Sequence, residues 1–342
     1  MQVVFFGSPS FALPSLESLR EAGHTLALVV SQPAKPVGRK GEPTDPPVAA
    51  RAKSLGIHVF QPPTLKDDAV VARLSAAGAD VFVVVAYGRI LAQRVLDLPR
   101  MGCVNVHGSL LPRWRGASPV QASILAGDAM TGVSIMKMAA GMDTGPVYTM
   151  RETRIGAEES AEELGVRLAL MGADALVETL NFFESELGGT AAPPPRGTAG
   201  APAGPLHAPS KKIFLPPLPQ DPSLATTCPK IAREDARVDW SRPAIELARR
   251  ARAFTPWPGL FTHRRNARLK LFHVSLEGES GRVREGAEEY SPGTVLEAGP
   301  RLVVACGEGA VSIGTLQAEG RRALPAAEFI RGERVLPGER WG

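Results

Sequence analysis

Three times near its start the chain runs a short apolar, β-rich segment into a helical pattern: residues 3–6 then 14–21, 26–30 then 48–55, and 81–85 then 91–96. Strands separated by helices do not pair as hairpins. Each helix returns the chain across the sheet, so the next strand lies parallel to the last. The alternation therefore predicts an α/β fold with a doubly wound, mostly parallel sheet. Runs at 102–106, 133–138 and 147–153 extend it, and residues 160–183 read as a closing helix. In such sheets ligands bind outside the carboxyl ends of the strands.

The 102–106 run ends in the segment Asn105-Val106-His107-Gly108-Ser109-Leu110-Leu111-Pro112-Arg113-Trp114-Arg115-Gly116-Ala117-Ser118-Pro119, where an apolar strand gives way to polar groups, Gly and Pro. Side chains alternate along a strand, so Asn105 and His107 point to one side, about 7 Å apart. A second polar element, Gly141-Met142-Asp143-Thr144-Gly145, sets one carboxylate between glycines, which marks a loop within reach of the histidine. Taken singly, His107 reads equally well as a strand-end residue and Asp143 as a turn former. An amide, an imidazole and a carboxylate together are far less likely to fall so by chance, and chemistry is expected where the strand ends. No serine or cysteine stands in a recognisable nucleophile motif.

With 342 residues and an ordinary apolar fraction the chain is long enough for two domains. Three widely spaced cysteines, Cys103, Cys228 and Cys306, suggest neither a disulfide framework nor a zinc site. Gly7, Pro9 and Pro14 break up the start, and no apolar run approaches membrane-spanning length, so the expected setting is the cytoplasm, with no membrane partner. Residues 188–227 are rich in Ala, Pro and Gly and read as a linker between a catalytic domain, 1–187, and a second domain, 228–342. There Ser241 is expected to cap a helix through Arg252, followed by short β patterns at 260–263, 269–276, 293–297, 301–305 and 311–316, the spacing of a small barrel. The net charge of +4 falls entirely in the last third, 226–342, with 19 Lys and Arg against 15 Asp and Glu.

Phe6-Gly7-Ser8-Pro9-Ser10-Phe11, Val85-Ala86-Tyr87-Gly88, the 105–119 segment, Gly141 to Gly145 and Arg252-Ala253-Phe254-Thr255-Pro256-Trp257-Pro258 carry a resemblance across nearly the whole chain. The chain resembles the methionyl-tRNA formyltransferases, a branch of the enzymes that take formyl from 10-formyltetrahydrofolate. The Asn-x-His-x-Ser-Leu-Leu-Pro piece and the distal Asp mark the wider family; Arg-Trp-Arg-Gly-Ala and Pro-Trp-Pro favour the tRNA branch. The resemblance implies a Rossmann-like formyltransferase domain, an OB-like barrel, and direct attack of the methionyl α-amine on the bound folate, an acyl transfer that needs no metal, with Asn105 as a neutral donor to the developing oxyanion, His107 as the second donor, and Asp143 to orient the ring, favour its cationic form and help remove a proton. It implies a folate pocket lined by Ser109, Leu110, Leu111, Pro112, Tyr87 and Gly88, where the absent side chain of Gly88 lets backbone approach a flat ligand.

Initiator tRNA is the implied partner of a monomer. Residues 32–47 form a long Pro-rich excursion with Lys35, Arg39 and Lys40, and by motif position Arg39, with Lys40, is the loop contact to the acceptor end; Glu42 and Asp45 depart from a more basic pattern. Arg113 and Arg115 adjoin the chemistry. Trp114 between them either stacks on a nucleotide or packs beneath the loop, the second being preferred. In the second domain Arg249, Arg250, Arg252, Arg264, Arg265, Arg268 and Lys270 form the basic cluster, with Arg249, Arg264 and Arg265 as candidate phosphate contacts. The rivals are a sugar-nucleotide N-formyltransferase, a formyltetrahydrofolate hydrolase, and a non-enzymatic RNA-binding protein.

Overall fold

A computed structural model describes residues 1–37, 41–186, 210–278 and 290–342. Contacts divide the chain into two units: Met1–Pro119, Ala129–Ile155 and Gly165–Pro229 form the first, and Val120–Asp128, Gly156–Leu164 and Lys230–Gly342 the second.

In the first unit β1 (Gln2–Gly7), α1 (Leu13–Glu21), β2 (Thr25–Val30), a small hairpin of β3 (Lys35–Val37) and β4 (Glu42–Thr44), α2 (Pro47–Ser54), β5 (Val59–Phe60), α3 (Asp68–Ala76), β6 (Val81–Val85), α4 (Gln93–Leu96) and β7 (Cys103–His107) realise the predicted alternation. Sequence reading had no element at α3. Strands β7, β6, β1, β2 and β5 lie side by side and parallel. The order reverses between β1 and β6, where Gly7 is in register with Val85. Both faces of the sheet are covered: Val3 and Phe5 pack with one buried cluster, Val4 and Phe6 with another. That is why these strands read as continuous apolar runs rather than as alternation.

Beyond β7 the parallel pattern stops. After β8 (Arg115–Gly116) and the α5 helix (Pro119–Ala126), β9 (Met130–Lys137) and β10 (Val147–Arg154) add to the edge as antiparallel neighbours. The connection between β9 and β10 has no helix, so it returns as a hairpin, a geometry only antiparallel strands allow. Then α6 (Ala161–Glu186) begins with a capping box in which Ser160 and Glu163 satisfy each other's backbone N–H groups.

The expected linker is corrected in part. Residues 187–209 lie outside the described residues, but β11 (Ser210–Leu218), inside the 188–227 stretch, is the eighth strand of the main sheet, antiparallel to β10. An average over Pro, Ala and Gly concealed the β-prone run Ile213-Phe214-Leu215. The stretch ends in β12 (Thr227–Cys228), paired with β8.

In the second unit α7 (Ala244–Ala253) precedes β13 (Phe261–Arg264), β14 (Ala267–Leu276), β15 (Val295–Ala298), β16 (Leu302–Ala305), β17 (Ala310–Ala318), β18 (Leu324–Pro325) and α8 (Ala326–Glu333). These strands form a curled antiparallel half-barrel ordered β13-β14-β17-β16-β15, with β18 added beside β17. Ser241 does not cap the helix. Its hydroxyl donates to Asp239 at 2.5 Å, and the helix starts after Pro243.

Candidate active site

The carboxyl ends of β1, β6 and β7 share one edge of the sheet, and β7 ends in the polar pair. Asn105, in register with Val84 and Met136, is half-buried; among the described residues its side-chain amide has no hydrogen-bond partner. His107, two residues on, is 5% exposed. Its Nε2 lies 2.9 Å from the carbonyl oxygen of Trp114, and a carbonyl only accepts, so Nε2 carries hydrogen and donates. Nδ1 then faces Asp143, 3.7 Å from Oδ2. That separation exceeds a direct hydrogen bond but keeps the carboxylate close enough to act on the ring electrostatically.

Two devices hold Asp143 there. The residue is in the left-handed region with φ 52°, in a loop where any side chain on Gly145 would strike the carbonyl of Lys137. Its Oδ2 accepts the backbone N–H of Gly116 at 2.8 Å. Gly116 must be glycine twice over: its φ is 124°, and a Cβ would collide with the carbonyl of Cys228. The Arg-Trp-Arg-Gly segment is thus a backbone frame. Trp114 accepts from His107 and donates its own N–H to Thr226 Oγ1 at 2.9 Å, Arg115 N–H donates to the Thr226 carbonyl at 2.9 Å, and Gly116 reaches the carboxylate.

Gln220 also belongs to this frame, and sequence reading passed over it as linker. Its Oε1 accepts from Arg115 Nε at 3.0 Å and Nη2 at 2.8 Å, while its Nε2 donates to the carbonyls of Asp143 at 2.8 Å and Gly145 at 2.7 Å. Cys228 donates its thiol to the Trp114 carbonyl at 3.4 Å, and burial pushes that thiol up.

The expected pocket residues divide by what their side chains touch. Ser109 is buried, donating to the Arg113 carbonyl at 2.5 Å, and its own carbonyl accepts from Ser134 Oγ at 2.7 Å. Leu110 stands against Gly132, and Leu111 is buried with Met136 and Val147, so the Leu111 side chain is core. Pro112 is half-buried and contributes its carbonyl to Thr226 N–H. Tyr87 is also core: its ring meets Phe6 edge-on at 5.4 Å, among the described residues its hydroxyl has no partner, and burial pushes its pKa up. What this turn offers at the strand ends is backbone. Ala86 and Gly88 are exposed at positive φ, 46° and 78°, and open space lies where a Cβ on Gly88 would be.

The expected RNA contacts fare differently. Arg39 and Lys40 lie outside the described residues. Arg113 is exposed, its guanidinium 4.4 Å above the half-buried Trp114 ring. Arg115 is half-buried and bound to Gln220, so it is not the free phosphate ligand expected. Arg249 is half-buried, its guanidinium lying against Gly127. Arg264 needs the firmest correction: it is 6% exposed and gives a two-pronged grip to Glu339, at 2.8 and 3.1 Å, plus a hydrogen bond to the Glu333 carbonyl at 3.0 Å. Its fork is occupied within its own unit. Arg265 is 67% exposed at the hairpin tip, where it and Asn266 take the positive φ values of a two-residue turn.

The formyl transferase pattern matches residues 1–180, and that of the formyl transferase C-terminal domain matches residues 230–334. The chain belongs to the formyl transferase family. The methionyl-tRNA formyltransferase of Ruegeria pomeroyi is 44% identical over 340 residues, covering 99% of this chain and 100% of that protein. That of Solibacter usitatus is 41% identical over 342 residues, covering 100% and 99%. Among solved structures, WlaRD, a sugar 3N-formyl transferase in the presence of dTDP and 5-N-formyl-THF, has a TM-score of 0.61 at 14% identity, covering 94% of this chain and 99% of that one. HypX from Aquifex aeolicus in complex with tetrahydrofolic acid has a TM-score of 0.60 at 18% identity, covering 96% of this chain and 47% of that one. At those identities the structural likeness speaks for the fold alone.

Proposed function

We propose that this protein transfers the formyl group of 10-formyltetrahydrofolate to the α-amine of methionyl initiator tRNA. The observation that carries the reading is the placing of Asn105, His107 and Asp143 at the end of β7, with His107 and Asp143 held by the backbone of one segment and the Asn105 amide uncommitted among the described residues. Relatives about 40% identical over the whole chain and named methionyl-tRNA formyltransferase support the same acceptor.

The uncharged amine attacks the formyl carbon, a new C–N bond forms, and the carbonyl oxygen gathers charge. Asn105 donates to that oxygen, and so does His107 through Nδ1 in the cationic form of the ring, Nε2 being committed to the Trp114 carbonyl. Fixed donors need no reorganisation as the charge appears, which is where most of their effect arises. Asp143 receives the proton that the amine sheds, and one proton returns to the folate nitrogen as its bond to carbon breaks. Metal is not required for any of these steps. The amine must be neutral, and an ordinary α-amine titrates near pH 8, so turnover falls in acid.

The folate fits best against backbone: the exposed turn at Ala86 and Gly88 admits a flat ring closely, while Leu110 supplies apolar surface. For the RNA we assign Arg39 and Lys40 from the sequence, with Arg113 and Arg265 as exposed cations for phosphates. We further propose that the protein works in the cytoplasm as a monomer; among the described residues no helix is long and apolar enough to cross a membrane.

The test offers purified protein 10-formyltetrahydrofolate together with charged initiator tRNA, charged elongator tRNA, an amino sugar nucleotide or no acceptor, and finds the formyl mass. The reading requires it on initiator methionine. Formyl on the sugar, or free formate without an acceptor, would replace this function with one of its rivals.

A further inference from the structure

Asp143 sits on a loop, not on a strand, so no ladder of hydrogen bonds fixes it; something else must. We propose that Gln220 is a positioning residue for the Asp143 carboxylate, an inference that rests on the acyl-transfer reading of the site. Gln220 comes from the end of β11 and lies 77 residues along the chain from Asp143. All the contacts of its amide bear on this loop or on its neighbour Arg115.

Chemistry fixes which way the amide faces. A guanidinium only donates, so the side of Gln220 toward Arg115 must be oxygen; two carbonyls only accept, so the side toward Asp143 and Gly145 must be NH2. A flipped amide would set oxygen against both carbonyls and nitrogen against the guanidinium. Only one orientation works, and in it both acceptor contacts of the oxygen and both hydrogens of the nitrogen are used. The two carbonyls bracket the turn from which the carboxylate projects. With Gly116 N–H holding Oδ2 at 2.8 Å, the backbone and the side chain of Asp143 are each anchored, and the 3.7 Å separation from His107 Nδ1 is set by the pair of anchors. Arg115 acts one step further out, orienting the amide.

The side chain of glutamate has nearly the same shape but no hydrogen to donate. Gln220→Glu therefore keeps the Arg115 contact, as an ion pair, while turning two attractive contacts to carbonyls into repulsive ones. Gln220→Met keeps the bulk and removes both sets of bonds. Misplacement of a reacting group by about 1 Å costs on the order of a hundredfold in rate. For Gln220→Glu the expected result is a kcat at least about tenfold down, with KM for formyl donor and tRNA within about twofold. In an Asp143→Ala background the same change should add nothing, since there is no carboxylate left to place. A merely structural role would not give that pattern.

A second measurement needs no turnover. With 15N-labelled histidine, the His107 ring-nitrogen resonances at fixed pH should move in both Gln220→Glu and Gln220→Met, because the charge facing Nδ1 has moved. Unmoved resonances, a kcat equal to wild type, or a Gln220→Glu effect that multiplies in full onto Asp143→Ala would each overturn the proposal. If wild-type protein formylates nothing, the acyl-transfer reading fails separately, and the ring-nitrogen signal still decides whether Gln220 positions the carboxylate.

Discussion

At the end of β7, polar side chains are held in place yet left able to act: His107 is tied through Nε2 and faces the Asp143 carboxylate with Nδ1, and among the described residues the Asn105 amide has no hydrogen-bond partner. On the β13–β14 hairpin the adjacent residues Arg264 and Arg265 part ways, the first buried and gripped by Glu339, the second 67% exposed. One region conserves the reactivity of its polar groups; the other consumes half of it to hold the barrel together. Proximity in sequence says which charges are neighbours, and packing alone says which are free to meet a ligand.

The comparison is most sharply tested at Asn105. Replacing it with Ala removes an oxyanion donor and should lower kcat by about a hundredfold or more with little change in melting temperature, as steady-state formylation and a thermal melt would show. A large loss of stability instead would make Asn105 a structural residue like Arg264. For Arg264→Ala the expectation is the reverse: the buried guanidinium and its hydrogen bonds to the half-buried Glu339 are lost, at a cost of about 1.5–3 kcal/mol, and tRNA affinity measured below the melting transition stays as in wild type. A clean fall in affinity with full stability would restore Arg264 to the RNA interface.

Gly116→Ala joins the two behaviours. A side chain there meets the Cys228 carbonyl at a φ of 124°, so both the frame and the carboxylate must shift. Stability should fall by about 1–3 kcal/mol and turnover should fall with it; retention of both would show that the frame yields easily. Smaller is the effect of Arg265→Ala, which should weaken tRNA binding and reduce the salt slope by about one while leaving the melt unchanged.

Acid gives the mildest test. Burial opposes ionisation of Glu339, but the hydrogen bond and charge of Arg264, with the charge of Arg265, outweigh it and hold the carboxyl below its ordinary 4.5. A depressed carboxyl stabilises the fold above the unfolded value and loses that contribution as pH falls through the folded one. Denaturant midpoints should therefore decline for wild type below about pH 4.5 and decline less for Glu339→Gln. Equal slopes would remove Glu339 from the acid response.

The alternation of strands and helices was legible because strands buried on both faces must be apolar throughout, and the proposed trio of Asn105, His107 and Asp143 stood out as a candidate because three chemically distinct side chains fall in two short motifs. The reversal beyond β7 was harder to read, since strand pattern carries no direction; only the short return between β9 and β10 does. Gln220 was hidden for another reason. Its proposed role rests on four hydrogen bonds to three residues distant in sequence, and its surroundings read as spacer composition. The ion pairs of Arg264 were likewise invisible, because Glu333 and Glu339 reach it only once the barrel has curled.

Rapid-quench single-turnover kinetics with a 13C-formyl donor and methionyl initiator tRNA, comparing wild type with Asp143→Ala, bear most directly on the claim that the three side chains run one direct transfer. The account predicts label passing straight to the methionyl nitrogen, with no labelled protein at any time, and a transfer rate about 100-fold or more slower in the variant. Label trapped on the protein, or an Asp143→Ala rate equal to wild type, would contradict it.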